Sequence, residues 1–156
     1  MDVNEAPTDI LLSNTSINEN ETIGTIIGTL SSVDEDFNST HTYTLSGDDS
    51  SNFTIVEEDG EYVLKSNAIF NYETKNSYSI TITTTDNGNL TFSKDFTITI
   101  NNIDEAPTDI LLSNTSIDEN EPVGTIIGTL TSVDEDIGST HTYTLSGDDS
   151  SNFTIV

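Results

Sequence analysis

The sequence predicts an all-β protein, a seven-stranded antiparallel Greek-key sandwich of immunoglobulin-like architecture, arranged in tandem. Three observations carry that reading. Apolar residues come in runs of roughly four to eight, rich in Thr, Ser, Ile and Val and split by Gly, Asn and Asp clusters, with no helical periodicity. Two of the runs alternate strictly. Finally, Asn4–Val56 returns as Asp104–Val156 with 46 of 53 positions identical and no gap, the mark of a tandem array.

The strands are expected, in order, at Ile10–Leu12 with Ser16–Ile17, Gly24–Ser31, Thr42–Ser46, Phe53–Val56, Glu61–Ser66, Ser77–Thr84 and Phe92–Ile100. In the last two, Tyr78, Ile80 and Ile82 face one way and Ser79, Thr81 and Thr83 the other, while Phe96, Ile98 and Ile100 alternate with Thr97 and Thr99. One face is thus buried and one wet, as in an antiparallel sandwich. Seven strands in about 100 residues fit the immunoglobulin-like pattern, without the Cys and Trp marks of an antibody domain. Residues 1–103 read as a complete module and 104–156 as the N-terminal half of a second, with strands expected at Gly124–Ser132 and Thr142–Ser146. Pro7 and Pro107 suit rigid extended links at the boundaries. Met1–Asp2 opens no signal peptide, and the chain is expected to be an excerpt of something longer.

The formal net charge is −25, from 28 acidic residues against 3 lysines and no arginine. Phosphate contacts need cations, so nucleic-acid binding is excluded, and an anionic membrane would repel the chain. No run approaches the roughly 20 apolar residues that span a bilayer. Without cysteine there is no disulfide framework and no thiolate chemistry, a usage common in long bacterial surface proteins. Two like charges about 4 Å apart cost roughly 1 kcal/mol in water and about 4 kcal/mol at an effective dielectric of about 20. Clustered acids therefore call for a counter-ion, and Ca²⁺ takes roughly six to eight oxygens.

The acids lie at strand ends: Glu19–Asn20–Glu21, Asp34–Glu35–Asp36, Glu73 in Phe70–Glu73, Asp86 in Thr84–Gly88, and Asp2, Asn4 and Glu5 at the boundary. The order EN…GT, D-x-D, Y-E, T-D-x-G, then D-V-N-E-A-P resembles the cadherin repeat in its bacterial cadherin-like form, over the whole chain. The resemblance implies a cadherin-like sandwich with Ca²⁺ at the junction between modules. Carried over by motif, the junction inside this chain takes Glu19, Glu73, Asn102, Asp104, Asp134 and Asp136, with the Glu105 carbonyl as a further contributor. Asp2, Asn4, Asp34, Asp36 and Asp86 form a half junction at the N-terminal end. The linker is one residue shorter than the animal form, Asn71 replaces the usual Asp of L-D-x-E, and Asn102 stands where the first copy has Asp2. Each loses a charge or a ligand and favours fewer or weaker ions.

Other polar clusters read as structural. Asp48–Asp49 lies in a polar hairpin loop, Glu57–Gly60 in a hairpin turn, and His41 and His141 have no second His or Cys to complete a transition-metal site. The N-x-S/T triplets are those that a chain rich in Asn and Thr makes by chance. No Ser, His and Asp stand in a catalytic arrangement, so the chain reads as a non-enzyme. The expected role is a rigid extender of a bacterial adhesin, at the cell surface or secreted, whose partners are adjacent repeats of its own array. The alternatives are a direct binding module for a protein or polysaccharide, a homophilic contact, or a fibre subunit completed by a strand-swapped neighbour chain.

Overall fold

The computed structural model describes residues 3–156, so Asp2 of the expected half junction lies outside the described residues. The chain divides into two compact units, Met1–Ile103 and Asp104–Val156. The first contains β1 (Asp9–Leu12), β2 (Ser16–Asn18), β3 (Ile26–Val33), β4 (His41–Ser46), β5 (Phe53–Glu58), β6 (Glu61–Ser66), β7 (Ser77–Asp86) and β8 (Thr91–Asn101). These form two four-stranded sheets, in the orders β1-β3-β6-β5 and β2-β8-β7-β4.

The architecture is the expected β-sandwich, with one strand more than the sequence suggests. The segment read as one broken strand is two, β1 antiparallel to β3 in one sheet and β2 parallel to β8 in the other. Asn14 makes the crossing. Its Nδ2 donates to Ser16 O at 2.7 Å and to Ile27 O at 2.8 Å, tying the link to both neighbours. Gly28 lies against this crossing, where a Cβ would meet Asn14 O at 2.7 Å. Period-two alternation cannot show such a switch, because it reports which face is buried and not which sheet a strand joins.

Alternation does place the core. Ile80 and Ile82 of β7 and Ile98 and Ile100 of β8 are buried against Ile10, Ile17, Ile27, Leu30, Phe53, Leu64 and Phe70. Phe70 and Tyr78 meet edge-on at 4.8 Å, a favoured aromatic geometry. β5 and β6 are joined by Asp59 and Gly60 alone, both at positive φ (52° and 84°), as a two-residue hairpin turn requires. The β8 residue opposite Ile82 is Lys94. Its ammonium escapes the core by reaching Asp9 Oδ1 (2.7 Å) and Ile10 O (3.0 Å), which couples β8 to β1 of the opposite sheet.

Asp49 does more than decorate a loop. It accepts from the Lys75 ammonium and, at 2.8 Å, from Ser79 N, fastening the β4–β5 connection to β7. Those bonds hold its carboxyl below the ordinary 3.8, Lys75 first and the Ser79 N–H second.

In the second unit, β9 (Asp109–Leu112) pairs antiparallel with β10 (Leu130–Val133). The strand expected at Thr142–Ser146 does not form, and the one expected at Gly124–Ser132 is confined to its end. The reason is the ladder: β4 has β7 as its partner and the early part of β3 has β6, and residues 104–156 contain neither counterpart. The same apolar residues are consequently open, Ile110 at 62% exposed against 0% for Ile10 and Phe153 at 48% against 4% for Phe53.

Ile82→Ala should lower the unfolding free energy by about 3 kcal/mol in denaturant titrations, against less than about 0.5 kcal/mol for the exposed Thr97→Ala. Asp49→Ala should lower Tm by about 4 °C near neutral pH. Because the folded-state value of Asp49 is depressed, its stabilisation is present above the ordinary carboxylate range and lost as pH falls through the folded value. The gap between wild type and Asp49→Ala in thermal melts should therefore narrow from about pH 7 to about pH 3.

Candidate metal centre

Three groups of oxygen donors lie at the ends of the units. The first is at the base of the first unit, where β2 ends. Glu19, 2% exposed, accepts from Tyr72 N through Oε2 and from Ile103 N through Oε1, each at 2.8 Å. One carboxylate thereby holds the turn after Phe70 against the chain leaving β8. The Glu73 Oε1 accepts from Asn102 Nδ2 at 3.2 Å, so Glu19, Glu73 and Asn102 are gathered at this end. Asn71, which replaces an acid, accepts from Thr74 N at 2.8 Å and opens the turn that carries Glu73.

The second group is at the opposite end of the same unit. Asp86, 4% exposed, closes β7 and accepts through Oδ1 from Gly88 N (2.7 Å) and Leu90 N (2.8 Å). Its Oδ2 accepts from Asn4 Nδ2 at 3.0 Å. Gly88 leaves room for this contact, since a Cβ would fall 2.2 Å from Asn4 Nδ2 and displace the side chain. Asp36 Oδ2 accepts from Glu5 N at 2.8 Å. Asp34 accepts from Asp36 N at 3.0 Å and lies 2.8 Å from His41 Nε2, and these two partners, the N–H first, hold its carboxyl below 3.8.

The second unit repeats this arrangement. Asp134 accepts from Asp136 N at 3.0 Å and meets His141 Nε2 at 2.7 Å, while Asp136 accepts from Glu105 N at 2.8 Å. His141 foremost, then the Asp136 N–H, depress the Asp134 carboxyl. Asp104 is exposed. Sequence reasoning missed two features, the histidines as partners of Asp34 and Asp134 and the boundary N–H groups of Glu5 and Glu105. A backbone donor leaves no mark in a sequence, and a lone His seven residues after an Asp carries no distinguishing pattern.

The donors fit a hard cation. They are carboxylate and amide oxygens, and the nearby ring nitrogens Nε2 of His41 and His141 are already engaged by aspartates. Both Glu19 oxygens and Asp86 Oδ2 accept one of these bonds each and keep a second lone pair for an ion, whereas Asp86 Oδ1 accepts two.

A two-sheet sandwich carrying oxygen donors at both ends defines the class, an all-β sandwich module. The cadherin domain family matches residues 13–101, and the chain belongs to that family. Solved structures agree. The chain is similar to human protocadherin-24 EC1-2, at 28% identity over 88% of this chain and 63% of that one, TM-score 0.66. It is also similar to the protocadherin gammaB4 extracellular domain, at 27% identity over 83% of this chain and 22% of that one, TM-score 0.58. The fold is shared with protocadherin gamma B2 domains 1-5, at 22% identity over 89% of this chain and 28% of that one, TM-score 0.61. The chain thus spans between 22% and 63% of the length of these structures. No curated protein matches it.

Glu19→Ala should cost about 2 kcal/mol even in chelator, because it strips two backbone N–H groups of their acceptor, whereas Asp104→Ala should cost less than about 0.5 kcal/mol. Denaturant melts of both variants in chelator check this.

Proposed function

We propose that the chain is a calcium-binding extender. Residues 1–103 form one module and 104–156 the opening half of the next, within a long extracellular adhesin of bacterial type. The observation that carries this reading is the gathering of Glu19, Glu73 and Asn102 at one end of the first unit and of Asn4, Asp36 and Asp86 at the other. The cadherin resemblance puts Ca²⁺ at module boundaries, with Asp104, Asp134 and Asp136 as the ligands contributed by the following module. Asp34, the counterpart of Asp134 with the same His and backbone N–H partners, is a ligand of the N-terminal set. When bound, Ca²⁺ supplies the positive charge that clustered carboxylates lack and stiffens the segments that carry them. The protein's own part is to hold these oxygens near one another through Tyr72 N, Ile103 N, Gly88 N and Leu90 N before any ion arrives.

Several facts favour a spacer over a recognition surface. Repeats that match at 46 of 53 positions supply length, and a specific site need not be copied into each. The aromatic residues mostly pack against the core, whereas binding surfaces expose them.

Millimolar Ca²⁺ should raise Tm in calorimetry, and Mg²⁺ should do much less, because Mg²⁺ prefers a small octahedral shell rich in water. Equal responses, or none, would leave the acids merely solvated.

A further inference from the structure

Beneath the charged groups at the Asp86 end of the first unit lies a second layer, made of hydroxyls. Tyr43 on β4 pairs directly with Thr84 on β7, and His41 pairs with Asp86 one inward-facing step further along the same two strands. On β3, Ser32 likewise stands one such step before Asp34. The Ser32 Oγ lies 2.9 Å from Tyr43 OH and 2.8 Å from Thr84 Oγ1. In the layer above, His41 Nε2 lies 2.8 Å from Asp34 Oδ2. Each layer therefore joins the end of β3, in one sheet, to the other sheet. The second unit repeats the part it contains, with Ser132 Oγ at 3.0 Å from Tyr143 OH.

Thr84 is 0% exposed and follows Ile80 and Ile82 on the same inward column. Valine has the same shape and would fill the position with no polar atom to satisfy. The hydroxyl is therefore a choice that packing does not demand. Apolar faces hold two sheets together without fixing their offset, because dispersion and burial are non-directional. A hydrogen bond between the sheets is directional. The Ser32–Thr84 bond crosses the sandwich one step below the position where β3 delivers Asp34 and Asp36 and β7 delivers Asp86.

We propose that Ser32, Tyr43 and Thr84 are positioning residues for the N-terminal calcium ligands, fixing the spacing between the Asp34–Asp36 loop and Asp86. The proposal rests on the calcium reading above. Ca²⁺–oxygen distances fall within about 2.3–2.6 Å, so a small slip between sheets separates oxygens that must share an ion. In metal sites generally, residues that orient ligands are worth about 10–100-fold in affinity.

The test is calorimetric calcium titration of the whole chain well below its Tm, with the relevant step identified as the one that Asp36→Asn removes. Thr84→Val should weaken that step about tenfold, Thr84→Ser should restore it, and Tyr43→Phe should weaken it in the same direction. In chelator, the Tm of Tyr43→Phe should stay within a few degrees of wild type, which separates positioning from loss of fold. Tyr43→Phe carries the test alone where Thr84→Val does not fold. Wild-type affinity in both hydroxyl-deleted variants would overturn the proposal, as would equal weakening by Thr84→Ser, which would assign the effect to packing. A wild-type chain with no step sensitive to Asp36→Asn would overturn the calcium reading and this inference with it.

Discussion

One column of side chains organises the first unit. Along β7 the inward positions run Ile80, Ile82, Thr84, Asp86, from apolar through hydroxyl to carboxylate, and all are buried. The column exists because a strand alternates its side chains, so a segment committed to burying Ile80 and Ile82 must also deliver Thr84 and Asp86 inward. The lower half packs with Ile98 and Ile100 into the core, and the upper half meets Ser32 and Asn4. Core and candidate site are two ends of one register. A slip of one residue would expose the isoleucines and turn Asp86 to the outside.

The heavy negative charge is tolerated because of where it lies. The buried acids, Glu19 and Asp86, each accept two or more hydrogen bonds, mostly from backbone N–H groups. Such bonds offset the cost of removing a carboxylate from water. The three lysines are each spent locally, Lys65 on Glu58, Lys75 on Asp49 and Lys94 on Asp9. Lys65 and Lys94 lie on β6 and β8, and Lys75 lies in the turn that also carries Glu73.

The two units compare a full set of partners with a partial one. Ile10 and Ile110, or Phe53 and Phe153, occupy matching positions in nearly identical sequences, and their burial differs almost completely. The loop bonds are nevertheless the same in both, from Asn14 and Asn114 to Asp34 and Asp134. Short-range hydrogen bonding is thus written into the segment itself, while burial depends on strands from elsewhere in the chain.

By itself the sequence determined the all-β class, the repeat, the inward faces of β7 and β8, and the acids gathered at strand ends. Each of these is a local property, legible because side chains alternate and because turns require particular residues. Only the tertiary structure decided that the first strand divides between two sheets, that His41 belongs to Asp34, that Asp49 fastens a connection, and that Ser32, Tyr43 and Thr84 meet across the core. Those outcomes depend on which strands become neighbours, and pairing between distant segments is set by the closing of two sheets over a shared core. No periodicity within either strand encodes it.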